Sequence, residues 1–328
     1  MPGSGTRPVG RREGGTALNV IVIGGGQAGL AAGYHLRRAG VDFTILDAQP
    51  EPGGAWLHGW DSLRLFSPAR HSSLPGWPMP RFPHEGYPTA DHVVDYLASY
   101  EKRYELPVER SVRVRSVRRV EGGYDVDGRF ADAVISATGT WWRPFIPAVA
   151  RDLPGRHLHT VQYRNPQQLA GQRVVVVGGG NSGAQIAADL ADHVDLTWIT
   201  RRPPRYLPDE IDGKALFGIA TQWPGGVGAL GDIVAVPPVR DARDRGLLVA
   251  RPMDRRLVAD ADTVIWCTGF RPALDHLAPL NLRDRNGHVH AGPRLHPLGY
   301  GDWTGPASAT LIGVGPTARA AVAELVRT

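Results

Sequence analysis

Two short stretches have residue types spaced to hold an anionic cofactor. "VIVIGGGQAGLAAGYHL" (21–37) and "VVVVGGGNSGAQIAADL" (174–190) each run from an apolar strand-like segment through G-x-G-x-x-G into a helical pattern. The first glycine permits a tight turn, the second lets a pyrophosphate approach the backbone, and the third lets helix and strand pack closely. Gly24, Gly26, Gln27, Ala28 and Gly29 form the first loop; Gly178, Gly180, Asn181, Ser182 and Gly183 form the second. Each loop aims the free N–H groups and positive dipole end of a helix at the phosphates. The strand after the first helix ends at Asp47, followed by Ala48. A carboxylate there accepts hydrogen bonds from ribose hydroxyls and repels a 2′-phosphate, so this site suits FAD or NAD and not NADP. The strand after the second helix ends at Thr200, followed by Arg201 and Arg202. A guanidinium there can clamp a 2′-phosphate, which suits NADPH.

The elements needed to position these loops are legible around them. Strands are expected at 19–23 and 42–47 around a helix at 28–39, and at 173–177 and 194–200 around a helix at 182–192. Each strand–helix–strand unit implies parallel pairing. Each is followed by a strand ending in a similar turn, "VISATGTWWRP" (134–144) and "VIWCTGFRP" (264–272), so the chain contains a weak internal duplication. A proline-rich stretch (51–90) reads as loop, 90–104 as an amphipathic helix, and 317–326 as a last helix. "RSVRVRSVRR" (110–119) alternates Arg with Val and reads as a half-exposed strand face. Segment 203–261 is rich in Pro and Gly and weakly periodic, short for a complete cofactor domain.

The fold class expected is α/β: two Rossmann-like three-layer dinucleotide-binding domains, for FAD and NADPH, the second inserted in the first. Residues 1–16 read as a disordered Gly/Arg tail, 17–140 plus 265–328 as the FAD-binding domain, and 141–264 as a shortened NADPH-binding domain. Composition narrows the function. The formal charge is +5 and the pI about 9.6, but the arginines are scattered, which gives no nucleic-acid footprint and fits anionic cofactors. The absence of an apolar run of membrane-spanning length and of a secretory leader, with a lone Cys267, points to the cytoplasm. One cysteine also excludes a C-x-x-C dithiol mechanism, and Cys267 lies in an apolar strand where a thiol is inert. His157 with His159, and His288 with His290, form H-x-H pairs but lack a third ligand cluster, so no metal is expected.

These motifs resemble those of class B flavin-containing monooxygenases, and most closely the small bacterial ArsO-like members, over residues 17–328. "EPGGAWLHGW" (51–60) is similar to the family's G-G-x-W, and "GGGNSGAQIA" to its NADPH loop. "LPGRHLHTVQY" (153–163) resembles F-x-G-x-x-x-H-x-x-x-Y, with Gly155, His159 and Tyr163 in register and Leu153 in place of Phe. "ATGTW" and "CTGFRP" resemble its linkers, and "GYGDWTG" (299–305) its flavin-contacting segment.

The resemblance implies cofactor contacts from Gly54, Trp56, Ala137, Thr138, Gly139, Thr268, Gly269 and Gly301, with Asp302 holding the ribityl chain. It implies oxygenation of a soft nucleophile (a sulfur, nitrogen or arsenic centre) through a flavin C4a-hydroperoxide. The expected partners are a small-molecule substrate and O2, and the sequence leaves a homodimer open. The family's asparagine near the flavin falls at Phe66 or Ser67, which, with Trp56, are flavin-pocket candidates. Trp77, Phe82 and Tyr87 join Phe66 as a candidate wall. That departure keeps an NADPH-dependent reductase or oxidase without oxygen transfer as the alternative, and a non-catalytic FAD/NADPH-binding protein as a third reading.

Overall fold

The computed structural model describes residues 18–209 and 233–327. The expected tail and residues 210–232 of the weakly periodic segment lie outside the described residues. Strands β1 (Asn19–Ile23), β2 (Asp42–Leu46), β3 (Val108–Glu109), β7 (Ala133–Ser136) and β13 (Leu295–Pro297) form a sheet in the order β13–β7–β1–β2–β3, every pair parallel. Strands β8 (Arg156–His159), β9 (Arg173–Val177), β10 (Asp195–Ile199), β11 (Ala250–Arg251) and β12 (Thr263–Trp266) form a second parallel sheet, β11–β10–β9–β12–β8. The whole second sheet lies between β7 and β13 in the chain, so one dinucleotide-type unit is inserted in the other. The strand β12 straddles the expected boundary at 264 and pairs with β9. Strands β4 (Val117–Val120), β5 (Gly123–Val126) and β6 (Arg129–Ala131) make a small antiparallel sheet.

The central strands are apolar on both faces because both faces are covered. Val20 and Val22 of β1 pack with Leu30, Ala31 and Leu36 of helix α1 (Gln27–Arg38) and with the C-terminal helix Val314–Arg327. Ile21 and Ile23 point the other way, into a core with Val117, Tyr124 and Val126 of the antiparallel sheet. The second unit repeats the plan. Val174 and Val176 of β9 pack with Ala184, Ile186 and Leu190 of helix α3 (Asn181–Leu190) and Val239 of the helix Pro237–Asp244. Val175 and Val177 face Val258 of the short helix Arg255–Ala259, with Val264 and Trp266 beside them. These are the two Rossmann-like three-layer α/β units.

Two regions differ from expectation. Only 117–120 of the alternating segment joins a sheet. Arg115 and Ser116 donate their N–H groups to the Asp127 carboxylate at 2.7 and 2.9 Å, and Ser111 has φ +59°, which breaks an extended run. From Val112 to Arg118 the alternation still holds in burial, with the arginines outward, whereas Arg110 turns inward. Segment 203–261 is more structured than its pattern suggests, since its described part contains two helices and β11. The proline-rich stretch is pinned by helix α2 (Ala90–Arg103). Tyr96 Oη donates to Trp77 O at 2.7 Å and accepts from Leu74 N at 2.8 Å, and Tyr100 Oη donates to Pro75 O at 2.6 Å.

Candidate functional site: two glycine cradles

The two loops occupy equivalent places at the C-terminal ends of the central strands. Gly24 has φ +107°, and a Cβ there would lie 2.5 Å from Ala137 O; a Cβ on Gly29 would lie 1.8 Å from Gly24 O. Gly178 has φ +146°, a Cβ there would lie 2.2 Å from Cys267 O, and one on Gly183 would lie 2.2 Å from Gly178 O. The fold therefore requires glycine at the first and third positions of each loop. It does not at the second. A Cβ on Gly26 meets nothing nearer than Gly54 Cα at 3.9 Å, and one on Gly180 meets nothing within 4 Å. The open middle positions are what a backbone-hugging pyrophosphate needs. Neither α1 nor α3 has a capping side chain or an acid in its first turn, which leaves their N–H groups for an anion. The residues present thus fit a dinucleotide at each loop.

One cleft of about 560 Å³ brings together Gly24, Gly26, Gln27, Ala28, Asp47, Ala48, Gly54, Trp56, Ala137, Thr138 and Gly139. Gln27 is fixed at both ends: Trp56 Nε1 donates to its Oε1 at 3.0 Å, and its Nε2 donates to Ala309 O at 2.6 Å. Gly54 backs directly on the loop, since a Cβ there would lie 2.9 Å from Gly26 Cα. That contact explains the second glycine of G-G-x-W. Asp47 is 5% exposed and its carboxylate is gripped by Arg110, which also pairs with Glu101. Burial raises the Glu101 pKa, while Arg110 pulls it back down.

At the second loop, parallel pairing puts Thr200 where Asp47 stands in the first: Ile23 pairs with Leu46, and Val177 with Ile199. Thr200 is buried, so the position equivalent to Asp47 is neutral here, and Arg201 and Arg202 project into solvent beside it. Ser182 lies in the first turn of α3, and Asn181 Oδ1 accepts from Val234 N at 2.8 Å, tying the loop to the chain that follows residue 232.

The linkers and the signature form the seam between the units. Phe145 N donates to Gly269 O at 3.0 Å, Arg271 N to Arg143 O at 2.8 Å, and Ala273 N to Gly139 O at 2.9 Å, so the two linkers run as an antiparallel ribbon. Thr268 Oγ1 closes it on Phe145 O at 2.5 Å. His159 Nε2 donates to Gly269 O at 3.0 Å while its Nδ1 accepts from Val161 N at 3.4 Å, which fixes the neutral tautomer; burial lowers its pKa. Tyr163, fully buried, donates to Asp189 Oδ2 at 2.6 Å and anchors α3. Its neighbour Arg164 donates to His58 O at 2.5 Å and Gly59 O at 2.9 Å, holding the G-G-x-W segment. Beneath the first linker, Ser136 Oγ bonds His276 Nε2 at 2.9 Å and Tyr300 Oη at 2.5 Å, and Thr138 N donates to Tyr300 Oη at 3.1 Å. Burial pushes the His276 pKa down to about 4.

Several expected site residues stand elsewhere. Phe66 and Ser67 do not line the cleft. Phe66 packs on Leu207 and Val234, and Ser67 Oγ lies 2.7 Å from Ser72 Oγ. The chain leading to them is held by Asp61 N, which donates to Arg164 O at 2.8 Å, and by Leu65 N, which donates to Pro88 O at 2.9 Å. Of the candidate wall, Trp77 packs at a tilt on Tyr96, Phe82 meets His92 edge-on, and Tyr87 packs between the two cores. Gly301 (φ +107°) and Asp302 begin a short 3-10 helix in which Asp302 Oδ1 accepts from Ala307 N at 3.2 Å; they too lie outside the cleft lining. His157 accepts from Trp266 Nε1 at 2.9 Å, His288 stacks on Trp303, and His290 pairs with Asp284. Among the described residues no cluster of three or more metal-ligating side chains occurs. Burial pushes the Cys267 thiol up to about 12. Sequence reasoning singled out none of Arg110, Arg164, Tyr300, His276 and the cleft-lining Trp141 and Trp142, although Trp141 and Tyr300 lie inside the segments "ATGTW" and "GYGDWTG" and Trp142 follows the first.

Residues 21–212 match the pyridine nucleotide-disulphide oxidoreductase family. An uncharacterized CzcO-like oxidoreductase of Geobacillus kaustophilus is 32% identical over 86% of this chain and 87% of its own. The indole-3-pyruvate monooxygenase YUCCA1 of Oryza sativa is 32% identical over 61% of this chain and 52% of its own. A solved flavin-containing monooxygenase from Stenotrophomonas maltophilia is 47% identical, covers 94% of this chain and 98% of its own, and superposes with a TM-score of 0.86. The chain belongs to the pyridine nucleotide-disulphide oxidoreductase family, among its flavin-containing monooxygenase-like members, and is an FAD-containing oxidoreductase.

Proposed function

We propose that the protein is an NADPH-consuming, FAD-dependent monooxygenase acting on a soft nucleophile: a sulfur, nitrogen or arsenic centre of a small molecule. The observation that carries this reading is the pair of equivalent loops with opposite chemistry after the second strand: Asp47 at one, Thr200 with Arg201 and Arg202 at the other. FAD and NADPH are the cofactors; when bound, FAD takes two electrons from NADPH and activates O2. One oxygen atom enters the substrate and the other leaves as water.

The chain's own residues bind, orient and shield. The Gly24–Gly29 loop and the N-terminus of α1 hold the first pyrophosphate, and Asp47 accepts the adenosine ribose hydroxyls. Gly54 and Trp56 close over that loop, Trp56 through its bond to Gln27. Gly178, Gly180 and Gly183 cradle the second pyrophosphate, with Asn181 and Ser182 opening α3, and Arg201 and Arg202 clamp the 2′-phosphate. The ribbon of Ala137–Gly139 with Thr268 and Gly269 ties the two cofactor-holding units together, and Gly301 with Asp302, just beyond the cleft-lining Gly299, would hold the ribityl chain. Residues 17–140 and 265–328 act as the FAD-binding domain, and 141–264 as the NADPH-binding domain. The nucleophile needs no acid–base triad, because the flavin supplies the chemistry and the protein excludes water. No helix among the described residues is long and apolar enough to cross a membrane, and a cytoplasmic setting fits the one cysteine. The test is turnover with a thioether, an amine or arsenite: NADPH oxidation matched by oxygenated product supports the reading. Oxidation that yields only hydrogen peroxide supports the oxidase alternative.

A further inference from the structure

Asp47 does not stand alone in the first site. Its carboxylate presses on the loop, since a Cβ on Gly25 would lie 2.8 Å from Asp47 Oδ2. Strand β3 pairs with β2 and delivers the next residue, Arg110, directly over Asp47, 63 positions away in sequence. Arg110 Nη1 donates to Asp47 Oδ2 and Nη2 to Glu101 Oε2 on α2, while Nη1 also reaches Glu51 O at 3.4 Å. The side chains of Asp47, Arg110 and Glu101 are 8%, 17% and 19% exposed, so the trio is largely withdrawn from water. Asp47 Oδ1 makes no hydrogen bond among the described residues.

We infer that Arg110 is a positioning residue for the ribose contact: by holding Oδ2 it presents Oδ1 of Asp47 to the 2′-hydroxyl of the adenosine ribose. The inference rests on the reading of the first loop as the FAD site. Two buried carboxylates facing each other without a cation repel; one rotates away or takes a proton, and a carboxyl is a weaker acceptor than a carboxylate. A bare Asp47 would also repel the pyrophosphate carried by the same loop. A fork that donates to both carboxylates at once removes both costs, which a single-point ammonium does less well.

The experiment compares apoprotein binding of FAD and of its 2′-deoxyadenosine analogue by flavin fluorescence, with thermal melts to verify folding. Wild type should bind the deoxy analogue about tenfold more weakly than FAD, as expected for losing one hydrogen bond to a charged group. Arg110→Met should bind FAD about tenfold more weakly than wild type and discriminate between the two ligands less than about twofold. Equal weakening for both ligands, with wild-type discrimination intact, overturns the proposal. Asp47→Ala, which removes the acceptor altogether, separates the ribose reading of Asp47 from the role of Arg110. If it keeps wild-type discrimination, the ribose reading of Asp47 itself fails. If it loses discrimination while Arg110→Met keeps it, only the role of Arg110 fails. Should Arg110→Met not fold, Arg110→Lys decides: reduced discrimination supports the fork, and a wild-type ratio overturns it.

Discussion

Replacing Gly180 by alanine should damage NADPH use and leave the fold intact. In the chain alone, the new methyl meets nothing within 4 Å. Gly180 has φ −106° and is the N-cap of α3, a conformation alanine adopts without strain. The stability change should therefore stay within about 1 kcal/mol, a stiffer unfolded chain offsetting part of what alanine loses as an N-cap. On the proposed reading of this loop, the same methyl stands where the pyrophosphate approaches the loop N–H groups. Losing one or two charge-assisted hydrogen bonds, at about 1.5–3 kcal/mol each, raises KM for NADPH by about tenfold to hundredfold or more. Gly183→Ala is the control with the opposite signature. Its Cβ would sit 2.2 Å from Gly178 O, a backbone atom, so β9 and α3 must move apart. Overpacking of that kind costs about 1–3 kcal/mol. The assays are thermal melting of the FAD-loaded protein and initial rates of NADPH oxidation. The reasoning is refuted if Gly180→Ala melts early yet keeps its KM, or if Gly183→Ala is silent in both.

Three further outcomes follow from the same geometry. Arg201→Ala with Arg202→Ala should raise KM for NADPH by about tenfold or more while KM for NADH barely moves; an unchanged preference removes the 2′-phosphate clamp. Tyr163→Phe removes the buried hydroxyl that donates to the half-buried Asp189 at 2.6 Å and should lower stability by about 1–3 kcal/mol in urea unfolding; a wild-type midpoint counts against the anchor. His276 titrates near about 4 when folded against 6.5 when unfolded, so the unfolded chain binds more protons in that window. Stability should then fall as pH drops from 6.5 toward about 4. The share from His276 is about 3 kcal/mol. Its replacement by glutamine should flatten the slope in pH-dependent unfolding; an unaltered slope assigns the effect to other buried histidines.

Much of this was legible in the sequence because local rules decided it. The glycine spacings, the apolar strands before them and the residue after each second strand are short-range signals, and the register of β1 with β2 and of β9 with β10 places Asp47 and Thr200 where those signals put them. What escaped was set by long-range pairing. Arg110 looked like one more arginine in an alternating run; only the β2–β3 pairing brings it to Asp47. Tyr300 reaches Ser136 and Thr138 across 164 and 162 positions, a distance no periodicity reveals. Phe66 illustrates the converse. Position after G-G-x-W suggested the flavin pocket, but Leu207 and Val234 offer an apolar seat on the second unit, and burial there decides its direction. The run at 110–119 had strand periodicity, but Ser111 and Val112 give their N–H groups to Gln49 O and Asp47 O, and the carboxylate of Asp127 takes those of Arg115 and Ser116, so a regular ladder starts only at Val117.

The central claim is that two electrons from the second cradle and O2 meet at the first to oxygenate a substrate. The most direct measurement is turnover of a thioether with NADPH under isotopically labelled dioxygen, read by mass spectrometry of the product. One labelled oxygen atom per product molecule, in proportion to NADPH consumed, is the expected result. NADPH loss with labelled hydrogen peroxide and no labelled product would contradict it.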